Sequence, residues 1–497
     1  MTHASIGRVA IVLNAHFPYV RRAGRWPHGE EALHRVIAES YLPLLRLAHE
    51  LRTAGRVASL NLAISPVALE QLADAVILKH FALWLAEWRA RVAGDLQRFE
   101  AQGEAHGAYL ARFYLDWIDA ITQLFHGRFK RDLIGALRRL PEQPGELLLT
   151  PATYAYLPWL SLAEAHTQLD VGAMSVLRHL GRRPTGLWLP GGGLPPGLRG
   201  IALEHGLRYA VGLPAAQPLV TQRNDDLPVI HPDRALNDYI VGSNLGYPGD
   251  ELYREFHRVH DVSGIAYWRV TGADVPLERK AWYDPYLAFG RAAEHARHFL
   301  HALRARLQAL RATQQTEAPV VVLAFDAELF GHWWFEGVHW LQHVLEGILA
   351  ADDLQLIPLH EALERLPWQP APADSPRHPI FDDPVVAPLR TRLQRAGTRL
   401  QAAARQLAQA TGLEEELLCQ ATRELLLAQS SDWATLIATG TATDYAQRRF
   451  DEHLARMERL LQYLERDEPT PDAVSYLHQI AELDNPFPFT NYRLLAG

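Results

Sequence analysis

Residues 319–340, PVVVLAFDAELFGHWWFEGVHW, constrain the fold more than any other stretch. Val320, Val321, Val322 and Leu323 form an unbroken branched apolar run, the pattern of a strand covered on both faces in a parallel sheet. The run breaks at Phe325, and two carboxylates follow, Asp326 and Glu328. Beyond them come Gly331, His332, Trp333 and Trp334, then an amphipathic helix through Trp340, Val344 and Ile348. A carboxylate at the C-terminal tip of a buried strand sits where α/β barrels place their chemistry. Aromatic faces beside it suit a flat-sided ligand such as a sugar ring. The plainer alternative, that Asp326 caps a turn and the tryptophans fill the core, stays open on this stretch alone.

The same strand-then-polar-loop pattern recurs along the chain. Residues 9–13 run into Asn14-Ala15-His16-Phe17-Pro18-Tyr19, and residues 58–64 stop at Ser65-Pro66. Residues 146–150 and 185–190 are further strands, the second ending in Gly191-Gly192-Gly193. Residues 209–213, 239–242 and 355–358 complete the set. Helical patterns lie between them, including a long one opened by Asp284 as N-cap with Pro285 at the first helical position. Alternation of this kind predicts a parallel sheet, and the polar strand ends predict an incomplete barrel.

Two regions fall outside the alternation. Amphipathic helices over 78–99 and 109–125 read as an insertion. A proline-rich stretch over 368–388 reads as a linker to an all-helical region, whose last long helix is opened by Thr441 with Asp444 three residues on. The expected organisation is an α/β barrel over 1–76 and 146–367, a helical insertion over 77–145, the linker over 368–388, and a C-terminal helical domain over 389–497.

Composition closes off several function classes. At 497 residues the chain exceeds a single core, and a net charge of −8 gives no footprint for nucleic acid. No apolar run is long enough to span a bilayer, and the first residues lead straight into a strand without a basic leader, so the expected compartment is cytoplasmic. The single cysteine, Cys419, excludes disulfides and reads as a core residue. The 24 histidines lack metal-ligand spacing, so neither metal nor cofactor is expected. Thirteen tryptophans favour a ligand with flat apolar faces.

Six motifs in order carry a resemblance. They are Ala15-His16-Phe17-Pro18-Tyr19-Val20 with Gly24-Arg25-Trp26-Pro27, Gly186-Leu187-Trp188-Leu189-Pro190, Gly246-Tyr247-Pro248-Gly249-Asp250, the run from Phe325 to Trp334, Ser431-Asp432-Trp433 with Thr439-Gly440, and Asp484-Asn485-Pro486-Phe487-Pro488. Together they resemble glycoside hydrolase family 57, and within it the 1,4-α-glucan branching enzymes. The resemblance implies an incomplete (β/α)7 barrel with a helical insertion and a C-terminal all-helical domain that helps form the cleft. It implies retaining chemistry, with two carboxylates roughly 5–5.5 Å apart. Asp326 then takes the general acid/base position, held protonated by burial beside Trp333 and Trp334. His16, Trp26, Trp188, Trp333 and Trp433 are expected to line the cleft, with α-glucan (glycogen or amylose) as ligand. Nothing in the sequence sets the oligomeric state.

The chain departs from the family pattern at the cleft. Gly191 stands where the motif continues with the nucleophilic glutamate, Asn14 and Tyr154 stand where it has histidines, and the tryptophan before Gly246 is missing. Three readings follow: a branching-enzyme-like protein that binds α-glucan without normal glycosyl transfer; an enzyme with a relocated carboxylate, for which Glu204, Asp250 and Glu328 are candidates; and a structural partner of an active homologue. On the first reading, Gly191→Glu is expected to return a carboxylate opposite Asp326 but to rescue activity only in part.

Overall fold

The computed structural model describes residues 7–25, 28–56, 58–140, 145–224, 226–242, 246–272, 274–372, 378–465 and 471–496. Ten strands share one sheet: β1 (Gly7–Ala15), β2 (Leu60–Ile64), β3 (Leu147–Leu149), β4 (Gly186–Trp188), β5 (Tyr209–Val211), β6 (Leu219–Gln222), β7 (Val229–His231), β8 (Val320–Asp326), β9 (Leu354–Leu356) and β10 (Trp368–Pro370). Nine lie in the order β10-β6-β7-β5-β4-β3-β2-β1-β8. The ninth in sequence, β9, pairs with the first residues of β1 on the flank that β2 takes further along. Every pairing is parallel except β6 with β7. Among the described residues β8 and β10 do not pair with each other, so the sheet curls into an open half-barrel, the fold the resemblance implied.

The parallel pairing decides where chemistry can sit. Because β1, β2, β3, β4 and β8 point the same way, Asn14, Ser65, Gly191 and Asp326 all lie at or beyond the same C-terminal edge of the sheet. The central strands are covered on both faces: Val9, Ala10, Ile11 and Val12 of β1 and Val320 to Leu323 of β8 are buried, as parallel strands between helices require.

Two long helices, Ala75–Gln102 and Ala105–Gln123, pack against each other in the region expected as an insertion. Asp74 caps the first by accepting the N–H groups of Val76 and Ile77, and Gly103 ends it in the left-handed conformation. After residue 378 the chain is helical, with a core of its own built on Leu393, Leu400, Leu418, Leu425, Phe450 and Met457.

Local signals misled in four places. Residues 239–242, expected as a strand, are the last turn and C-cap of the helix Arg234–Val241, which Asp233 opens by accepting the Leu236 N–H. The proline-rich stretch does not begin as a linker, since Trp368–Pro370 is β10, paired with β6 at the exposed end of the sheet where proline's missing donor is tolerated. Thr441 does not cap the helix Thr443–Leu464; the cap position is Ala442 and Thr441 bonds Thr439 instead. Cys419 is half-buried, packed against the helical core rather than within it.

Candidate active site

The site begins at the paired tips of β1 and β8. Asn14 and Asp326 are register partners, and the Asn14 Nδ2 donates to Asp326 Oδ1 at 2.7 Å. The same nitrogen donates to the Tyr154 hydroxyl at 2.8 Å, and the Trp188 indole N–H donates to that hydroxyl at 2.9 Å. Tyr154 therefore joins the ends of β1 and β4 across the sheet edge. Its backbone is left-handed (φ 59°), a conformation that costs a non-glycine residue about 1–3 kcal/mol and needs support from its surroundings. That support is present: the Tyr154 N–H donates to the Pro151 carbonyl at 2.9 Å, and the Ser431 hydroxyl donates to the Tyr154 carbonyl at 2.6 Å.

His16, two residues past Asn14, lies flat on the Tyr154 ring with centroids 3.8 Å apart and planes within 9°. Its Nδ1 bonds Ser65 Oγ at 2.8 Å and its Nε2 bonds Asp432 Oδ2 at 2.9 Å. A Ser–His–Asp sequence of contacts resembles an acyl-transfer triad, but Ser65 is 0% exposed and cannot reach a substrate. Its hydroxyl orients the imidazole. Asp432 opens the helix Ser431–Ala438, so this pair also ties the helical region to the sheet edge.

Further buried ionisable groups stand behind Asp326. Glu328 Oε1 accepts the His16 backbone N–H at 2.9 Å and the Tyr41 hydroxyl at 2.5 Å. Tyr41 and Glu39 belong to a five-residue π-helical turn, Ile37–Tyr41, which interrupts the helical run and faces both groups inward. Glu39 bonds His332 Nδ1 at 2.7 Å and Arg254 Nη1 at 3.1 Å. Gly331 is required here: its φ is 98°, and a Cβ would lie 1.8 Å from the Glu39 carbonyl oxygen.

These surroundings set the charge states. Burial pushes the Glu328 carboxyl up to about 8, and the Asp326 charge adds to the rise. Asp326 also rises through desolvation, offset in part by the Asn14 amide and His16. Its side chain still reaches solvent from the cleft, with protein around its other sides. Burial would raise Glu39 as well, but the Arg254 guanidinium and His332 outweigh it and hold that carboxyl down at about 2. The group hydrogen-bonded to Asp326 is the Asn14 amide.

Gly191 is also at this edge, and there is no room beside it. It is left-handed (φ 63°), and a Cβ there would lie 2.5 Å from Phe381 Cε2 and 3.1 Å from Tyr156 Cε2. The expectation that Gly191→Glu simply returns a carboxylate is therefore corrected: the direction of its side chain is filled by an aromatic ring.

The expected lining residues divide. His16 and Trp188 belong to the network around Asp326. Trp333 is 52% exposed and packs against Phe256 with centroids 4.5 Å apart, leaving a broad apolar surface open. Trp433 does not line a cleft: it is 1% exposed in the helical core, its indole N–H donating to the Leu427 carbonyl at 2.9 Å. Trp334 is likewise buried, and Trp26 lies outside the described residues. Of the replacement carboxylates, Glu204 pairs with His166 at 3.5 Å and Asp250 with Arg291 at 3.4 Å, while Glu328 alone bonds into the network around Asp326. Phe381 carried no signal in the sequence.

One cluster with ligand-like geometry was missed. Glu424, His453 and Asp484 are buried together, with His453 Nδ1 2.7 Å from Glu424 Oε2. Arg456 donates to Asp484 at 2.5 Å and Arg449 Nη2 lies 3.1 Å from His453 Nε2. Those guanidinium charges already balance the two acids, so the arrangement is an ion network rather than a cation site.

The chain is similar to proteins of known family over most of its length. A family model described as glycosyl hydrolase family 57 covers residues 10–212, and one described as 1,4-alpha-glucan branching enzyme, C-terminal, covers residues 392–495. A 1,4-alpha-glucan branching enzyme of Thermococcus kodakarensis is 32% identical, covering 97% of this chain and 77% of its own length. The crystal structure of a GH57-type branching enzyme from Pyrococcus horikoshii superposes with a TM-score of 0.90 at 29% identity, over 99% of this chain and 97% of that one. The α-amylase AmyC from Thermotoga maritima superposes with a TM-score of 0.86 at 26% identity, over 99% of both chains.

Proposed function

The chain belongs to glycosyl hydrolase family 57, and from that premise we propose that it is a branching-enzyme-like protein that binds α-glucan without carrying out retaining glycosyl transfer. One observation supports the reading: at Gly191, where the motif resemblance puts the nucleophile, the side-chain direction is filled by Phe381. Retention needs one carboxylate to attack the anomeric carbon and a second, roughly 5–5.5 Å away, to protonate the departing oxygen. Asp326 supplies the second at the general acid/base position, with a raised pKa suited to it. Nothing at 191 supplies the first. His16, Trp26, Trp188 and Trp333 contact the glucan; Trp433 acts by packing the helix that carries Asp432. The barrel over 1–76 and 146–367, the insertion over 77–145 and the helical domain over 389–497 are the units we assign.

A second reading has one observation in its favour. Asp326 and Glu328 are neighbouring carboxyls with raised pKa values, a pattern that acid–base pairs share. Iodine staining and reducing-end release on amylose, with wild type, Asp326→Ala and Glu328→Gln, separate the two, alongside calorimetry with amylose and glycogen. The first reading expects binding and background turnover in all three. Wild-type turnover abolished by both substitutions overturns it in favour of a relocated carboxylate.

A further inference from the structure

Phe381 belongs to the proline-rich stretch over 368–388, yet it packs against the loop that follows β4. Its ring lies parallel to Tyr156, with centroids 4.0 Å apart and planes within 15°, and edge-on to Trp159 at 5.6 Å. The ring is 5% exposed. The turn that presents it is fastened to itself: His378 Nδ1 accepts the N–H groups of Ile380 at 3.2 Å and Phe381 at 3.4 Å, and Asp382 Oδ2 accepts the His378 N–H at 2.7 Å. Gly193 closes up from the other side, where a Cβ would lie 2.8 Å from Tyr156 Cε2.

This cluster connects directly to the Asp326 network. Tyr156 is two residues beyond Tyr154, whose hydroxyl joins Asn14 and Trp188, and Gly191 is three residues beyond Trp188. We propose that Phe381 is an intramolecular occupant of the sugar subsite beside residue 191: it covers the Tyr156 face on which a pyranose would stack, and an α-glucan approaching Asp326 from that side has to displace it. The inference rests on the reading of the cleft as an α-glucan site. It adds a specificity-determining side chain that the loss of the nucleophile does not require, since glycine alone would abolish covalent catalysis and leave the space open.

A competing internal group lowers apparent affinity by the fraction of time the site is free. If the ring is in place nine-tenths of the time, its removal tightens binding about tenfold. A ring that only fills the core would instead lower stability on truncation and leave affinity unchanged.

The test uses the full chain and maltoheptaose. Calorimetry on wild type and Phe381→Ala is expected to show affinity rising about tenfold on truncation, with both proteins melting cooperatively. In parallel, Gly191→Ala is introduced into both backgrounds, and the drop in melting temperature it causes is expected to be at least halved once the ring is gone. Binding by wild type with no gain in Phe381→Ala overturns the occupant while the α-glucan reading stands. Absence of binding in both proteins sinks that reading and the competition together. Equal melting penalties for Gly191→Ala in the two backgrounds overturn the claim that the ring holds the space.

Discussion

Asn14 donates to Asp326 across the β1–β8 register at 2.7 Å, so an amide holds the carboxylate proposed here as the general acid/base. An amide cannot carry a proton to or from that carboxylate. It can only favour the ionised form by donating to it, which opposes the rise due to desolvation. Asn14→Ala is therefore expected to raise the Asp326 pKa further, read from the carboxyl carbon shifts of labelled aspartate across a pH titration. An unchanged or lowered value would mean that the amide is not what restrains it.

Glu328 gives a pH signature with the opposite sign to that of an ion-paired acid such as Glu39. Its folded pKa, about 8, lies above the ordinary 4.5. Between those values the folded state keeps a proton that the unfolded state has released. Stability from this group is thus fully present below about pH 4.5 and is lost as pH rises through 8. Glu328→Gln keeps an oxygen to accept from Tyr41 and the His16 N–H but has no proton to lose. Melting temperatures measured from pH 5 to 8 are expected to fall less steeply in Glu328→Gln than in wild type. Parallel slopes would refute the assignment.

The His16–Asp432 pair couples the sheet edge to the helical region. Asp432→Ala leaves a nearly buried imidazole nitrogen without its partner, at a cost of roughly 1–3 kcal/mol by denaturant unfolding. Because the ring also lies on Tyr154, the same substitution is expected to weaken glucan binding, whereas Asp432→Asn retains an acceptor and most of the affinity. Equal losses in both variants would assign the role to charge rather than to orientation.

How much of this was legible in the sequence depends on the length scale of each signal. The apolar run from Val320 to Leu323 in β8 and the strand tip at Asp326 were readable because an uninterrupted buried strand has few alternatives. Strands β6, β7 and β10, three or four residues each, were not, since so few residues carry no period. His16, Trp188 and Asp326 were found through motifs, and the structure brings them around Tyr154. Trp433 was placed in the cleft because its motif position was informative about the helix but not about which way the indole turned. Phe381 was invisible because its role depends on a contact across 190 residues with a glycine, and an absent side chain leaves no pattern for a partner to match.

The sharpest consequence concerns Gly191→Glu. Loss of a covalent nucleophile can cost on the order of 10⁶ in turnover, so restoring the carboxylate would return measurable activity if it alone were missing. Here the new side chain would have to leave a backbone at φ 63° and pass through the Phe381 ring, whose Cε2 lies 2.5 Å from the Cβ position. We expect Gly191→Glu to remain at background in iodine staining and reducing-end release and to melt below wild type. Combining it with Phe381→Ala removes the obstruction but not the left-handed backbone, and Asn14 and Tyr154 still replace histidines. A displacement of about 1 Å can cost 10²-fold, so the double variant is expected to rise above background while staying at least about 10²-fold below an intact branching enzyme. Asp326→Ala in that double background should return turnover to baseline, which ties any recovered activity to this site. Robust activity in Gly191→Glu alone would show that the ring yields to an incoming side chain.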